Sequence, residues 1–189
     1  RFFFQGIRGG YEFLQKEKWT ANAFGQARFQ GLEPTDSPAL EGMETRRKSA
    51  DAGAELIFRN RPVGFRTSFL TDILGRSKGQ EFSALAVTGA PLGDALLLVG
   101  IGPRWESQRR IDYYYGVRPE EALPERPAYS APATWSWDLN ITLTWQISDR
   151  WNLLVLANRQ GFGSGIKNSS IVEQGAGYAL ISALTYRIR

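Results

Sequence analysis

The chain of 189 residues has no cysteine and no histidine. Without cysteine there is neither a disulfide framework nor a thiolate metal site. Without histidine the commonest general base and the commonest metal ligand are gone, so a Ser-His-Asp hydrolase, including one set in a barrel wall, is excluded. Long apolar runs are lacking too. Stretches such as Ala95-Leu96-Leu97-Leu98-Val99 stop after a few residues, well short of the roughly 20 that a membrane helix needs. Such a chain meets a membrane only as a closed barrel or by lying on it. Charge of one sign is only mildly in excess, at +4 with a pI near 9.5. The basic residues are spread out, with small groups at Arg46-Arg47-Lys48 and Arg109-Arg110, so no nucleic acid is expected as a partner. Anionic lipid head groups suit cations at strand ends better. Nothing in the sequence calls for a cofactor or a metal.

What is present is aromatic residues, at 13%, and 20 glycines, a pair that suits strands joined by tight turns. The main signal is a period of two, which places successive side chains on opposite faces of a strand. Between 134 and 147, Trp135, Trp137, Leu139, Ile141, Leu143, Trp145 and Ile147 form one face, and Thr134, Ser136, Asp138, Asn140, Thr142, Thr144 and Gln146 form the other. Similar alternation predicts strands near 1–6, 9–15, 19–30, 49–60, 62–73, 79–89, 94–107, 133–147, 151–162 and 175–188. The first two are one bent strand if the chain breaks at Gly9-Gly10.

Most of these strands have the roughly 9–11 residues that cross a bilayer at a tilt, and several run longer. Soluble strands are shorter. The fold class predicted is therefore all-β, an antiparallel transmembrane β-barrel with about 9–10 strands in this chain. A soluble β-sandwich, with the aromatics as its core, is the alternative. Short connections at 16–18, 60–62, 90–93 and 148–150 alternate with longer ones at 31–48, 74–78, 108–132 and 163–174. Membrane barrels keep short turns at the periplasmic rim and long loops outside. On that scheme Trp135, Trp137, Leu139, Ile141, Leu143, Trp145, Leu153 and Val155 face lipid. Arg28, Glu55, Arg59, Arg66, Arg104 and Asp138 face the lumen, together with Asp72 and Arg187. Trp19, Phe58, Trp105, Trp135, Trp145, Trp151 and Tyr186 sit at strand ends, as interfacial girdles do.

The segment Asp112-Tyr113-Tyr114-Tyr115-Gly116-Val117-Arg118-Pro119-Glu120-Glu121-Ala122, followed by Arg126-Pro127-Ala128-Tyr129, resembles a loop signature of the MipA/OmpV family of Gram-negative outer-membrane proteins. Residues 66–80, Ser148-Asp149-Arg150-Trp151 and Ser170-Ile171-Val172 resemble further family patterns, so the likeness runs from Phe2 to Ile188. Members carry a signal peptide and further N-terminal strands. The opening Arg1-Phe2-Phe3-Phe4 already reads as strand interior, so residues 1–189 are expected to be a single outer-membrane barrel domain lacking those strands. Members also end on an aromatic residue, whereas here the last residues are Tyr186-Arg187-Ile188-Arg189. A complete member would have about twelve strands, an even number.

The resemblance implies location in the cell outer membrane, contact with lipid and lipopolysaccharide, and action by binding and not catalysis. It implies a scaffold joining a murein lytic transglycosylase to a penicillin-binding protein. The family motif residues Asp112, Tyr113, Tyr114, Tyr115, Gly116, Val117, Pro127 and Tyr129 are the candidate binding patch. Tyr113-Tyr114-Tyr115 could equally be a girdle or a loop packed into the barrel mouth. A pore with a basic lumen is the alternative function, unless the inward charges pair and plug the interior. A lipid-modifying enzyme lacks any telling pair of residues. Pro119, Pro124, Pro127 and Pro132 read as loop stiffeners, and Gly161-Phe162-Gly163-Ser164-Gly165 as a flexible turn. Arg46-Arg47-Lys48 reads as either a lipopolysaccharide contact or a solvated strand end.

Overall fold

A computed structural model describes residues 1–186. Arg187 and Ile188, assigned above to the last strand, lie outside the described residues. Ten strands form one sheet, each antiparallel to the next, in the order of the chain. They are β1 (Phe2–Gln5), β2 (Arg8–Lys16), β3 (Trp19–Arg28), β4 (Ser49–Phe58), β5 (Val63–Asp72), β6 (Gln80–Leu92), β7 (Ala95–Glu106), β8 (Thr134–Gln146), β9 (Trp151–Gly161) and β10 (Ala176–Tyr186). The strands fall where the alternation puts them because each has one apolar face, and a slip of one residue would turn that face to the wrong side. One expectation is corrected. The chain does not bend at Gly9-Gly10 but turns at Gly6, whose φ is +58°, so that Gln5 pairs with Arg8 and two strands result.

Register fixes which side chains share a face. Asp138 pairs with Gly102 and Gln160, and Leu143 with Leu97 and Val155. Followed across the sheet, one face carries Asn22, Arg28, Asp51, Glu55, Arg66, Glu81, Arg104, Glu106 and Asp138. The other carries Trp19, Phe58, Phe65, Phe69, Trp105, Trp135, Trp137 and Trp145. The polar face is the buried one. Asp51 is fully buried and Asp138 nearly so, while Trp135 is 54% exposed and Trp137 60%. The soluble-sandwich alternative required the reverse, with those tryptophans against a second layer.

The sheet curls around its polar face. Arg28 on β3 meets Glu81 on β6 at 2.6 Å, although three strand spacings in a flat sheet would separate them by about 14 Å. Curvature this strong leaves no room for some inner side chains. A Cβ on Gly53 would lie 1.8 Å from the Phe69 carbonyl oxygen, and one on Gly102 1.9 Å from that of Ala84. Glycine at these two positions lets adjacent strands coil past each other. Among the described residues, β1 and β10 are paired only to β2 and β9, so both edges of the sheet are free.

All long connections leave from one end of the sheet. They are 29–48, 73–79, 107–133 and 162–175, together with the tight turn at Gly6-Ile7. Short turns occupy the other end, including Glu17-Lys18 and Gly93-Asp94. Two helices lie in the long connections: α1 (Gln108–Tyr115) and the single-turn α2 (Ser164–Lys167). No helix among the described residues is long and apolar enough to cross a membrane.

Candidate functional site

The outer face of the sheet is largely apolar between two aromatic levels, with Arg159, beside Leu139 and against the Tyr178 ring, as a cation near its loop end. Trp19 stacks on Phe58 with ring centres 4.5 Å apart, and Trp151 on Tyr186 at 4.8 Å, both at the turn end. Trp105, Trp135 and Trp137 mark the loop end. Trp135 and Trp145 are ten residues apart on β8, which is about 33 Å of strand and about 25 Å of height at the usual tilt, the thickness of an outer-membrane apolar band. Leu139, Ile141, Leu143, Leu153 and Val155 lie between these levels on the same face. The chain exposes 11909 Å², whereas a soluble protein of its mass would expose about 9,100 Å². The excess sits on this face and on the unpaired edges, where Phe2 and Phe4 are 79% and 87% exposed.

The inner face holds its charges in two networks. Toward the loop end, Asp51 and Glu81 share two arginines: Arg28 at 2.6 Å from both, and Arg110 at 2.9 and 3.3 Å. Arg104 joins them through Asp138 at 2.7 Å and Glu81 at 3.5 Å. Further down, Glu55 takes Arg8 at 2.9 Å, Arg66 at 2.7 Å and the Asn22 amide at 2.8 Å. Arg59 turns in at the end of β4 to donate to the Thr20 hydroxyl. The six lumen candidates therefore share one face, and five of them are ion-paired. Sequence alternation puts Asp51 and Glu81 on this face as well. Arg110 is beyond such reasoning, because it comes from the connection between β7 and β8 and reaches the polar face of the sheet from its loop end.

The segment 108–132 is a folded cap and not an open loop. In α1 the residues Arg110, Ile111 and Tyr114 form the buried side, the spacing that brings side chains onto one helical face. Ile111 packs with Ala131 and Ile166, all three fully buried, and with Tyr115, Phe162 and Val172 around them. A second cluster joins Leu32, Met43 and Val117 with Leu40, Tyr129 and Ile171. The driest apolar side chains thus belong to the connections. The stretch 161–165, read above as a flexible turn, runs into α2, and Ile166 directly after it is one of them.

The family motif residues have identifiable structural roles here. Asp112 accepts the Ala131 N–H at 2.9 Å. Gly116 donates to the Asp112 carbonyl and ends the helix. Val117 and Tyr129 exchange backbone hydrogen bonds at 2.9 and 2.8 Å, which closes the segment into a small hairpin containing Pro127. Tyr113 accepts the Arg47 N–H at 2.8 Å. Burial pushes the Tyr114 phenol up to about 12, and raises that of Tyr115 as well, with help from nearby Glu106. Both are neutral side chains that pack into the mouth.

Glu121, not singled out from sequence, locks the cap. Its buried carboxylate accepts from the Arg46 guanidinium at 2.7 Å, the Glu44 N–H at 2.8 Å and the Arg118 N–H at 3.0 Å. Burial alone would raise its pKa, but these donors, led by Arg46, hold it at about 2. Arg126 donates to the backbone carbonyls of Glu121, Ala39 and Glu41. Arg46 is therefore a buried structural residue. It is not a solvated strand end. Among the described residues, no cluster of three carboxylates could hold a metal ion.

A sequence profile of the family described as "MltA-interacting protein MipA" matches residues 1–188. The chain is 29% identical over 150 residues to "Outer membrane protein Omp26La" of Vibrio anguillarum, an alignment covering 78% of this chain and 58% of that protein. It has the same identity and coverage with "Outer membrane protein OmpV" of Vibrio cholerae. It is 22% identical over 189 residues to "MltA-interacting protein" of Escherichia coli, covering 98% of this chain and 76% of that protein. The chain thus spans little more than half the length of the Vibrio relatives it matches. No solved structure matches it.

Proposed function

The chain belongs to the MipA family of outer-membrane proteins, and from that membership we propose that it is a non-catalytic scaffold of the cell outer membrane. Names in the family point to interaction and not to catalysis. On this reading the face bearing Trp135, Leu139, Leu143 and Val155 contacts lipid, the loop cap faces outward, and the turn end faces the periplasm. The free edges β1 and β10 are the seam that further strands close, because unpaired backbone is not tolerated in hydrocarbon. About twelve strands would complete the barrel. The partner bound at the turn end is a murein lytic transglycosylase, with a penicillin-binding synthase as a second partner.

The observation that carries this reading is the state of the inner face. Four of its carboxylates, Asp51, Glu55, Glu81 and Asp138, are held by arginines, and α1 sets Arg110 across the loop end, which suits a stiff, filled frame more than a solute channel. Function then rests on connections held by that frame. The test is capture of purified lytic transglycosylase and penicillin-binding synthase by the refolded full-length protein. Replacing the turn 147–150 with a Gly-Ser linker should reduce transglycosylase capture severalfold, and replacing 163–174 should leave it unchanged. Capture that depends on the long loops, or no capture, would overturn the proposal.

A further inference from the structure

At the outer rim of the cap, loop 73–79, helix α1 and the hairpin around Val117 and Tyr129 enclose a cleft of about 580 Å³, within the size range of small-molecule sites. Four cations line it: Arg46, Lys78, Arg109 and Arg118. Two of these are spoken for, Arg46 by Glu121 and Arg118 by Glu44. Lys78 and Arg109 make no ion pair among the described residues, and both are exposed. The one carboxylate of the lining, Asp112, accepts the Ala131 N–H through one oxygen and keeps its single negative charge, so the lining carries one more cation than it has anions to pair with.

The cleft is held in shape. The Asp72 carboxylate accepts the N–H groups of Leu74, Ser77 and Lys78 at 3.0, 2.6 and 3.0 Å, folding the loop back on itself. Lys78 sits at φ +53°, a left-handed conformation that costs a non-glycine residue free energy and persists where the surroundings impose it. The ammonium is therefore presented from a fixed backbone. Tyr113 lines the same cleft, and since its oxygen accepts from the Arg47 N–H its own proton is free to donate. Tyr129 gives a second aromatic wall.

We propose that this cleft binds a sugar phosphate, with Lys78 and Arg109 on the phosphate and the rings of Tyr113 and Tyr129 against the sugar. Two cations without an ion-pair partner, against the single charge of Asp112, leave the cleft net positive and suited to a phosphate. The volume left beyond one phosphate is walled by aromatic rings and hydroxyls, as a sugar requires. The same chemistry is offered by a free sugar phosphate and by the phosphorylated glucosamine of lipopolysaccharide. The second source also requires the cap to face outward, as in the scaffold reading; the first does not.

The test uses the refolded full-length protein with two probes: glucose 1-phosphate, against glucose, and lipopolysaccharide vesicles, against phosphatidylcholine vesicles. Lys78→Gly removes the ammonium and relieves the backbone, so it should fold at least as well as the parent. Arg109→Gln removes the second cation. Each should weaken binding about tenfold or more, and Lys78→Arg should restore most of it. Binding of glucose 1-phosphate that responds in this way supports a free sugar phosphate. A response confined to lipopolysaccharide vesicles supports the lipid source. No binding of either probe, or binding indifferent to both substitutions, overturns the proposal. Transglycosylase capture is unaffected by these variants, so the two proposals fail separately.

Discussion

Glu121 shows how one side chain can tie two loops that lie 75 residues from each other in sequence. Its folded pKa of about 2 lies below the ordinary 4.5. A depressed carboxylate contributes stability that is complete above the unfolded value and disappears as pH falls through the folded one. The cap is thus expected to loosen between about pH 4.5 and pH 2, seen as faster amide exchange at Glu44 and Arg118, while the strands of the sheet keep their protection. Glu121→Ala leaves Arg46 buried and unpaired, and should cost roughly 3–5 kcal/mol of cap stability. In that variant the acid-dependent loosening should be absent. Unchanged exchange at neutral pH in Glu121→Ala would mean that the apolar clusters alone hold the loops. The sequence offered little to mark this residue. An acidic side chain in a proline-rich loop looks solvated until its partner at Arg46 is brought to it.

Among the elements, the strands and α1 behave oppositely. Thirteen residues of β8 alternate without interruption, so its two faces were legible directly. The residues Gln108–Tyr115 carry three tyrosines and no strong helix signal, yet they form a helix because Ile111 and Tyr114 find a buried seat and Arg110 finds two carboxylates. Tertiary partners outweighed local propensity. Curvature is the other property of the elements that parity does not show. It depends on glycines at inner positions of β4 and β7. Gly53→Ala or Gly102→Ala should destabilise the folded protein by roughly 1–3 kcal/mol, the usual range for overpacking. Urea unfolding in detergent would measure it. Gly25→Ala, where a Cβ would meet only the Asp51 carbonyl oxygen at 3.6 Å, should unfold much as the parent does. Parent-like unfolding of the Gly53 and Gly102 variants would show that the sheet can flatten at these points without penalty.

For the whole molecule, the decisive property is inversion, with the polar face inside and the apolar face outside. Leu139→Arg and Val155→Arg place a cation midway between the two aromatic levels. Each should cost roughly 2–4 kcal/mol of assembled stability, seen as loss of heat-modifiable migration and of outer-membrane fractionation. Thr142→Arg on the same strand faces inward and should assemble. If both outward variants assembled and melted as the parent does, lipid would not be what covers this face.

The sequence by itself determined strand positions, the parity of each face, the order of short and long connections, and family membership through the stretch from Asp112 to Tyr129. These are local or periodic properties, written in a few neighbouring residues at a time. Tertiary structure alone decided that Arg28 and Arg110 converge on Asp51 and Glu81, that the long connections form a capped mouth with its own dry core, and that Lys78 and Arg109 face one cleft. Each of these joins residues distant in the chain. Their meeting depends on how far a sheet curls and how loops pack, and no short-range pattern encodes that.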